Sequence, residues 1–388
     1  MERHRELQLG DEIAALIADG PAPATGPATE VDTTAYTDPE RHAREVDAIR
    51  AHPVAAVASS ELAEPGDFVT MELIGTPVII TRDTDGSIRA MHNACAHRGM
   101  TVEERSSGSA RLFSCPFHGW SYRLDGSLRA VADRDLFSTE PCERGLTQLP
   151  AEERHGVVWV TPAPAAQSPT DVAAWLGESM DQLLADLGMG GMVNHVVEEH
   201  ELACNWKLLT DGFMELYHLK YLHRETIAPH FPANLIATHL HGPHVMTWIP
   251  KNRLLAQMQD AERDDWEILS RMTATAVLVP GTVVEWQAGH IELFSLRPHP
   301  TEPNRTVTRM TMLVPADRAD DTDLWDRNWE RVIETVPGED FAAAVSVQAN
   351  IDAGVTPTIL LGANEHSLLH HLEAVQQLAG SLGSDELG

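Results

Sequence analysis

Two short segments constrain this chain more than any others. Cys95-Ala-His97-Arg98 and Cys115-Pro-Phe-His118-Gly-Trp120 deliver two cysteines and two histidines as two mixed pairs, C-x-H and C-x2-H. Each pair reads as a loop tip. Gly99 and Gly119 permit backbone conformations that a side chain would forbid, so amides can point at the sulfurs. Pro116 stiffens the second loop. Around them, from about residue 55 to 160, short strand-like runs broken by turns predict a small all-β domain. Asp85-Gly86 and Asp125-Gly126 are its hairpin turns, and the strand 155–162 closes it.

Two thiolates for one iron and two imidazoles for a second are the ligand set of a Rieske [2Fe–2S] centre. Replacing anionic thiolate by imidazole lowers the negative charge and raises the reduction potential, so such a centre accepts and passes on an electron. The competing reading is a structural zinc site of two cysteines and two histidines, which uses the same atoms. Zinc fingers usually group like with like, whereas here each pair is mixed, which favours the cluster.

The 388 residues suffice for two or three domains. No apolar run approaches a membrane span, and the first twenty residues lack the apolar core of a signal peptide, so the expectation is a cytoplasmic protein with no membrane partner. Lys and Arg number 28 against 58 Asp and Glu, a net charge of −30, which argues against nucleic acid as a partner. Beyond Cys95 and Cys115, Cys142 and Cys204 read as reduced thiols.

Residues 1–37 read as an N-terminal arm, with a Pro/Ala-rich linker at 21–30. A helix is predicted over 38–52, with Asp38 as N-cap and Pro39 in the first turn, and is grouped with the β domain as a unit of residues 38–162. A linker at 162–169 precedes an amphipathic helix over 170–188, which opens a second domain, residues 170–388. Alternating runs at 278–300 and 305–316 predict an antiparallel sheet with helices on one side, so the fold class is α+β. No GxGxxG or P-loop occurs, so electrons must come from a separate protein.

Glu215, His218 and His223 lie close together in the segment that follows Asn205-Trp206-Lys207. Positions five apart on a regular helix diverge by roughly 140°, so His218 and His223 share a metal only where the helix ends or distorts. Two histidines and one carboxylate are the ligands of non-haem Fe(II) oxygenases. The competing reading is chance, since the chain has 20 His. His195/His200 repeats the spacing and His366/His370 has helical spacing; His239, His241 and His244 read as surface or pocket-wall residues, and His366, His370 and His371 as an exposed C-terminal helix.

From Asp38 to about Gln348 the chain resembles the oxygenase component (α subunit) of the Rieske non-haem iron, or aromatic-ring-hydroxylating, oxygenases. The matching pieces are C-x-H-R, C-P-F-H-G-W, Asn205-Trp206-Lys207 and the run from Glu215 to His223. The resemblance implies an all-β Rieske domain holding a [2Fe–2S] cluster through Cys95, His97, Cys115 and His118, and a helix-grip, START-like catalytic domain holding mononuclear Fe(II) through His218 and His223. The family's third ligand is an Asp several residues ahead of a Gln; here that is Asp340 with Gln348, the alternatives being Glu339, Asp352, or a mere helix-capping role for Asp340. Glu215 stands where the family links the two metal centres, or it simply orients His218. Asp211 occupies a position where ring-hydroxylating members often carry Asn, adding a carboxylate to the catalytic region. The implied partners are a reductase, possibly a ferredoxin, O2 and a small organic substrate. The implied assembly is a homotrimer or α3β3 ring in which each cluster serves the neighbouring subunit's iron. The expected reaction is hydroxylation or cis-dihydroxylation of an aromatic or related compound, the alternative being monooxygenation, including oxidative N- or O-demethylation. A Rieske electron carrier would need only residues 55–160, and a zinc-stabilised START-like lipid binder is a further rival. Trp248, Met258, Trp286, Phe294 and Leu296 are candidate pocket walls or plain core.

Overall fold

The computed structural model describes residues 1–19, 27–137, 144–163 and 170–381. The expected linkers at 21–30 and 162–169 lie partly outside these residues, and Cys142 lies wholly outside them. The chain forms two compact units, Ala48–Trp175 and a second built from Met1–Asp47 with Leu176–Gly388.

In the first unit a five-stranded antiparallel sheet runs in the order Gln148–Leu149, Ile88–His92, Thr76–Arg82, Asp67–Leu73, Ser107–Ser109. Two three-stranded sheets accompany it, one of them Phe113–Ser114, Ser121–Tyr122, Leu128–Ala130. Both expected hairpins are present. Gly86 and Gly126 turn with φ of 83° and 77°, which only glycine adopts cheaply. Phe68, Phe113, Trp120 and Tyr122 fill the core, and Cys95 and Cys115 are buried in it.

The second unit is an α+β layout. Its seven-stranded antiparallel sheet runs Met192–Leu202, Thr306–Pro315, Ile291–Pro298, Thr282–Trp286, Met272–Leu278, His244–Pro250, Ala237–His241. One cross-strand row, Val245–Val277–Val283–Phe294–Met310, is apolar throughout. It packs with Trp325 and Val332 of the helix Thr322–Thr335 and with Ala344 of Ala342–Asp352. Each such large side chain contributes about 1.5–3 kcal/mol on burial.

Period two explains the fate of the expected pocket walls. Trp248 and Trp286 pair in register with Ala274, on the face opposite Val283 and Phe294. Phe294 and Leu296 are core, and neither these four nor Met258 lines the main cavity.

The N-terminal segment is not a free arm. Arg3–Asp19 is a helix, and Thr29–Asp32 pairs antiparallel with Thr358–Leu361. The helix Pro39–Arg50 was expected with the β domain, yet Met1–Asp47 groups with the second unit. The reason is polar: Glu45 accepts a 2.5 Å hydrogen bond from the buried ammonium of Lys207, and His42 Nε2 lies 2.8 Å from the His299 carbonyl. The amphipathic helix at Val172–Asp186 breaks at Gly177, which has φ 72° and ψ 153°. His371, expected on an exposed helix, is fully buried and bonds the Pro280 carbonyl through Nε2 at 2.9 Å.

Candidate metal centres

The two cysteine–histidine loops are built alike. Cys95 N–H donates to the Met100 carbonyl and Gly99 N–H to the Cys95 carbonyl, both at 2.8 Å. Cys115 N–H donates to the Trp120 carbonyl at 2.8 Å and Gly119 N–H to the Cys115 carbonyl at 3.1 Å. Gly99 and Gly119 have φ of 78° and 69°, so each loop needs its glycine to close. The result buries the two thiols and leaves the two imidazoles with their Nδ1 atoms facing each other 3.1 Å apart. Two imidazoles on one tetrahedral metal with bonds of about 2.1 Å stand about 3.4 Å apart, so the separation fits shared ligation.

Neighbours fix these groups. The His97 ring stacks on Trp120 at 4.9 Å and 7°, and His118 stacks on Phe117 at 3.8 Å. The Tyr122 hydroxyl accepts the Ala96 N–H at 3.1 Å, which leaves its proton to donate to Cys95 Sγ, also at 3.1 Å. A hydrogen bond to a ligating sulfur is one of the levers that set a cluster's potential.

The second centre is assembled from distant segments. The helix expected to end or distort between His218 and His223 is a single turn, Leu219–Leu222, with His218 as its N-cap and His223 as its C-cap. Both rings escape the helical phase and meet with centroids 5.1 Å apart. Asp340 lies in the turn Val336–Phe341, wound as a π-helix ahead of Ala342–Asp352, so it is not a helix N-cap. Pro337 has no N–H and crowds the carbonyl four residues earlier, which favours the wider turn. Asp340 Oδ1 stands 3.0 Å from His223 Nε2 and 3.7 Å from His218 Nε2. One ligand atom from each of the three lies within 4.8 Å of the others. Two imidazoles and one carboxylate fit a facial Fe(II) site with open positions.

The remaining imidazole nitrogens are held by carboxylates. His218 Nδ1 lies 2.5 Å from Glu215 Oε1, and His223 Nδ1 lies 2.6 Å from Glu339 Oε2. These contacts fix the tautomer that presents Nε2 to a metal and raise ligand basicity. Glu215 Oε2 accepts the N–H groups of Tyr217 and His218, and Thr226 donates to Glu339 Oε2 at 2.8 Å. Adjacent residues, Glu339 and Asp340, thus grip the two nitrogens of one ring. Glu339 is thus not the rival ligand but the support of His223, a role its place beside Asp340 permits and the fold alone reveals.

Gln348 fastens the halves of the site. Its Oε1 accepts the Asn205 N–H at 2.9 Å, while Asn205 caps Trp206–Asp211 by accepting the Lys207 N–H. Asp352 is engaged by Gln348 and Asn304, away from the His pair. Asp211 is not in the cluster. It accepts from the Tyr36 hydroxyl at 3.2 Å, its Oδ1 is buried without a partner, and burial pushes its carboxyl up to about 7. The other histidine pairs are engaged separately: His195 with Asp326, His200 with Glu198, His239 with Glu12.

The triad opens on a cavity of about 920 Å³. Phe213, Phe231 and Ile249 supply apolar wall, but the sheet side presents Thr273, Thr275, Glu285, Gln287 and Glu292, with Lys251 beside them. No described helix is long and apolar enough to cross a membrane.

A β unit with two cysteine–histidine loops, joined to a helix-grip unit whose cluster holds two histidines and a carboxylate, defines a Rieske non-haem iron protein. Comparison with known proteins agrees. Residues 52–139 match the family Rieske [2Fe-2S] domain, and residues 190–381 match the ring hydroxylating alpha subunit (catalytic domain). The carnitine monooxygenase oxygenase subunit of Acinetobacter baumannii is 31% identical over 47% of this chain and 49% of its own length. The anthranilate 1,2-dioxygenase large subunit of Acinetobacter baylyi is 28% identical over 69% of this chain and 53% of its own length. The chain thus spans about half the length of these curated relatives. A solved quaternary ammonium Rieske monooxygenase superposes with a TM-score of 0.77 at 21% identity, covering 92% of this chain and 99% of that one. The chain belongs to the Rieske oxygenase α-subunit family.

Proposed function

We propose that this chain is the oxygenase component of a multicomponent Rieske system, placed in the cytoplasm and fed by a separate reductase, directly or through a ferredoxin. The observation that carries this reading is the cluster of His218, His223 and Asp340 at a cavity large enough for a small organic molecule. Cys95, His97, Cys115 and His118 would hold the [2Fe–2S] cluster, and His218, His223 and Asp340 the Fe(II). When bound, the cluster supplies single electrons and the mononuclear iron supplies O2 activation. Two electrons, two protons and O2 convert a C–H bond to C–OH plus water, or place both oxygen atoms on an arene.

Of these outcomes, the polar sheet side of the cavity favours monooxygenation, including N-demethylation, over attack on a bare aromatic ring. The similarity to a carnitine monooxygenase points the same way. Glu215 and Glu339 each hold an Nδ1 proton, so that Nε2 is the free nitrogen of its ring. In an assembled trimer or α3β3 ring Glu215 would also carry the link to a neighbour's cluster. Glu215→Gln should keep both metals and slow product formation several-fold.

The test is iron counting joined to reductant-driven oxygen uptake. Three irons per chain with oxygen consumption support the proposal. Two irons per chain, with no uptake, would leave only an electron carrier.

A further inference from the structure

The apolar row Val245–Val277–Val283–Phe294–Met310 has a counterpart two residues along the same strands. It reads Thr247–Thr275–Glu285–Glu292–Met312. At the same level on four adjacent strands the sheet changes from apolar to polar, and Thr275, Glu285 and Glu292 face the cavity that holds the iron triad. Glu285 and Glu292 are direct cross-strand partners, and like charges placed opposite one another weaken a sheet. Stability alone does not favour such a pair.

The two carboxylates are not equally engaged. Glu292 is satisfied within the wall, by His290 Nε2 at 2.8 Å and Gln287 Nε2 at 3.3 Å. Glu285 has one oxygen on Gln287, at 2.9 Å, and no cation in contact among the described residues. Lys251 also lines the cavity, and its ammonium forms no ion pair among the described residues; Glu285 and Glu292 act on it only at longer range. One cavity thus presents a carboxyl that burial, Glu292 and Asp340 push well above its usual range, and a half-buried amine that burial pushes down, facing the same space and not joined to each other. An apolar arene would leave both groups facing hydrocarbon, at a heavy desolvation cost. A molecule that brings a cation to Glu285 and an anion to Lys251 would draw each group into its charged form and satisfy both.

We infer that the substrate of this cavity is a small zwitterion, an N-alkylated amino acid, whose ammonium lies against Glu285 and whose carboxylate meets Lys251. The inference rests on the oxygenase reading of the cavity and sets its substrate class. Glu285 lines the same cavity as His218, His223 and Asp340, so an alkyl group on that nitrogen would share the cavity with the triad.

Calorimetric titration of the iron-loaded full chain tests it, with N,N,N-trimethylglycine and N,N-dimethylglycine as zwitterions, choline as cation, benzoate as anion and naphthalene as neutral arene. The zwitterions should bind at least tenfold more tightly than choline, benzoate or naphthalene. Glu285→Gln, which keeps the shape and loses the charge, should weaken trimethylglycine and choline at least tenfold and leave benzoate unchanged. Lys251→Met should weaken trimethylglycine and benzoate and spare choline; it guards against a folding defect in the first variant. Absence of zwitterion binding, tighter binding of naphthalene, or indifference of trimethylglycine to both substitutions overturns the inference. A chain that loads three irons and consumes oxygen but ignores zwitterions sinks the substrate class alone. One that binds zwitterions but never fills the triad sinks the oxygenase reading alone.

Discussion

His97 and His118 lie 21 residues apart, whereas the contact between His223 and Glu339 spans 116. The cluster site repeats one loop design twice, each loop closed by the same pair of backbone hydrogen bonds and a glycine of positive φ. The mononuclear site repeats nothing. It joins a one-turn helix to a π-turn and relies on Gln348 and Asn205 to hold the two segments in register. A site made of local loops tolerates change elsewhere in its domain, while a site spread along the chain depends on distant residues to stay aligned.

The sharpest test of this contrast is the loss of a ligand at each site. Cys115→Ser should abolish the visible colour and the EPR signal of the reduced cluster while leaving iron at the triad. Retention of both signals would remove Cys115 from the ligand set. Asp340→Ala should do the reverse, with the cluster spectrum intact, one iron lost per chain and no oxygen insertion. If Asp352→Ala has that effect and Asp340→Ala does not, the carboxylate is misassigned.

Smaller effects sharpen the comparison. Glu339→Ala removes the partner of His223 Nδ1 and should weaken metal retention at the triad roughly 10–100-fold, measured by chelator competition. A variant with unchanged retention would show that Asp340 alone fixes the ring. Asp211→Asn is the mildest. Burial holds the Asp211 carboxyl up to about 7, so between about pH 4 and pH 7 the folded chain keeps a proton that the unfolded chain has released. Stability from this group therefore falls as pH rises through that window and levels off above it. Asn cannot titrate, so the variant should gain about 1–3 kcal/mol over the parent at pH 8 relative to pH 5. Parallel melting curves at all pH values would show that Asp211 does not carry the penalty.

How much of this could be read in the sequence follows the same division. The cluster loops and both hairpins were legible, because their information lies within a few residues: a ligand spacing, an Asp-Gly turn. The pair His218/His223 was visible as a spacing, along with the requirement that the helix break between them. The partner of His223 Nδ1 was not, because nothing local couples residue 223 to residue 339. The cavity walls were not legible for a related reason. Trp286 and Glu285 are neighbours in sequence on opposite faces of one strand, and the sequence leaves Trp286 open between wall and core. The face that meets the cavity is decided by register across four strands, which no single run of residues displays. The greater part of the helix Pro39–Arg50, up to Asp47, groups with the second unit, where the buried bond between Glu45 and Lys207 makes a contact 162 residues long.

The π-turn at Val336–Phe341 bears on how such a site can be gained or lost. A π-turn holds one residue more than the α-helical turn it replaces, so it is equivalent to a single insertion in a helix. Deleting Gly338 would restore the α-helical count and rotate everything on one side of the cut by about 100° against the other. Ala342–Asp352 is tied to Asn205 by Gln348, so the rotation would have to be absorbed upstream, or Asp340 and Glu339 would turn off the His223 ring together. One codon lost here would remove a ligand and its neighbour's support in a single event, without altering any of the side chains that make the site.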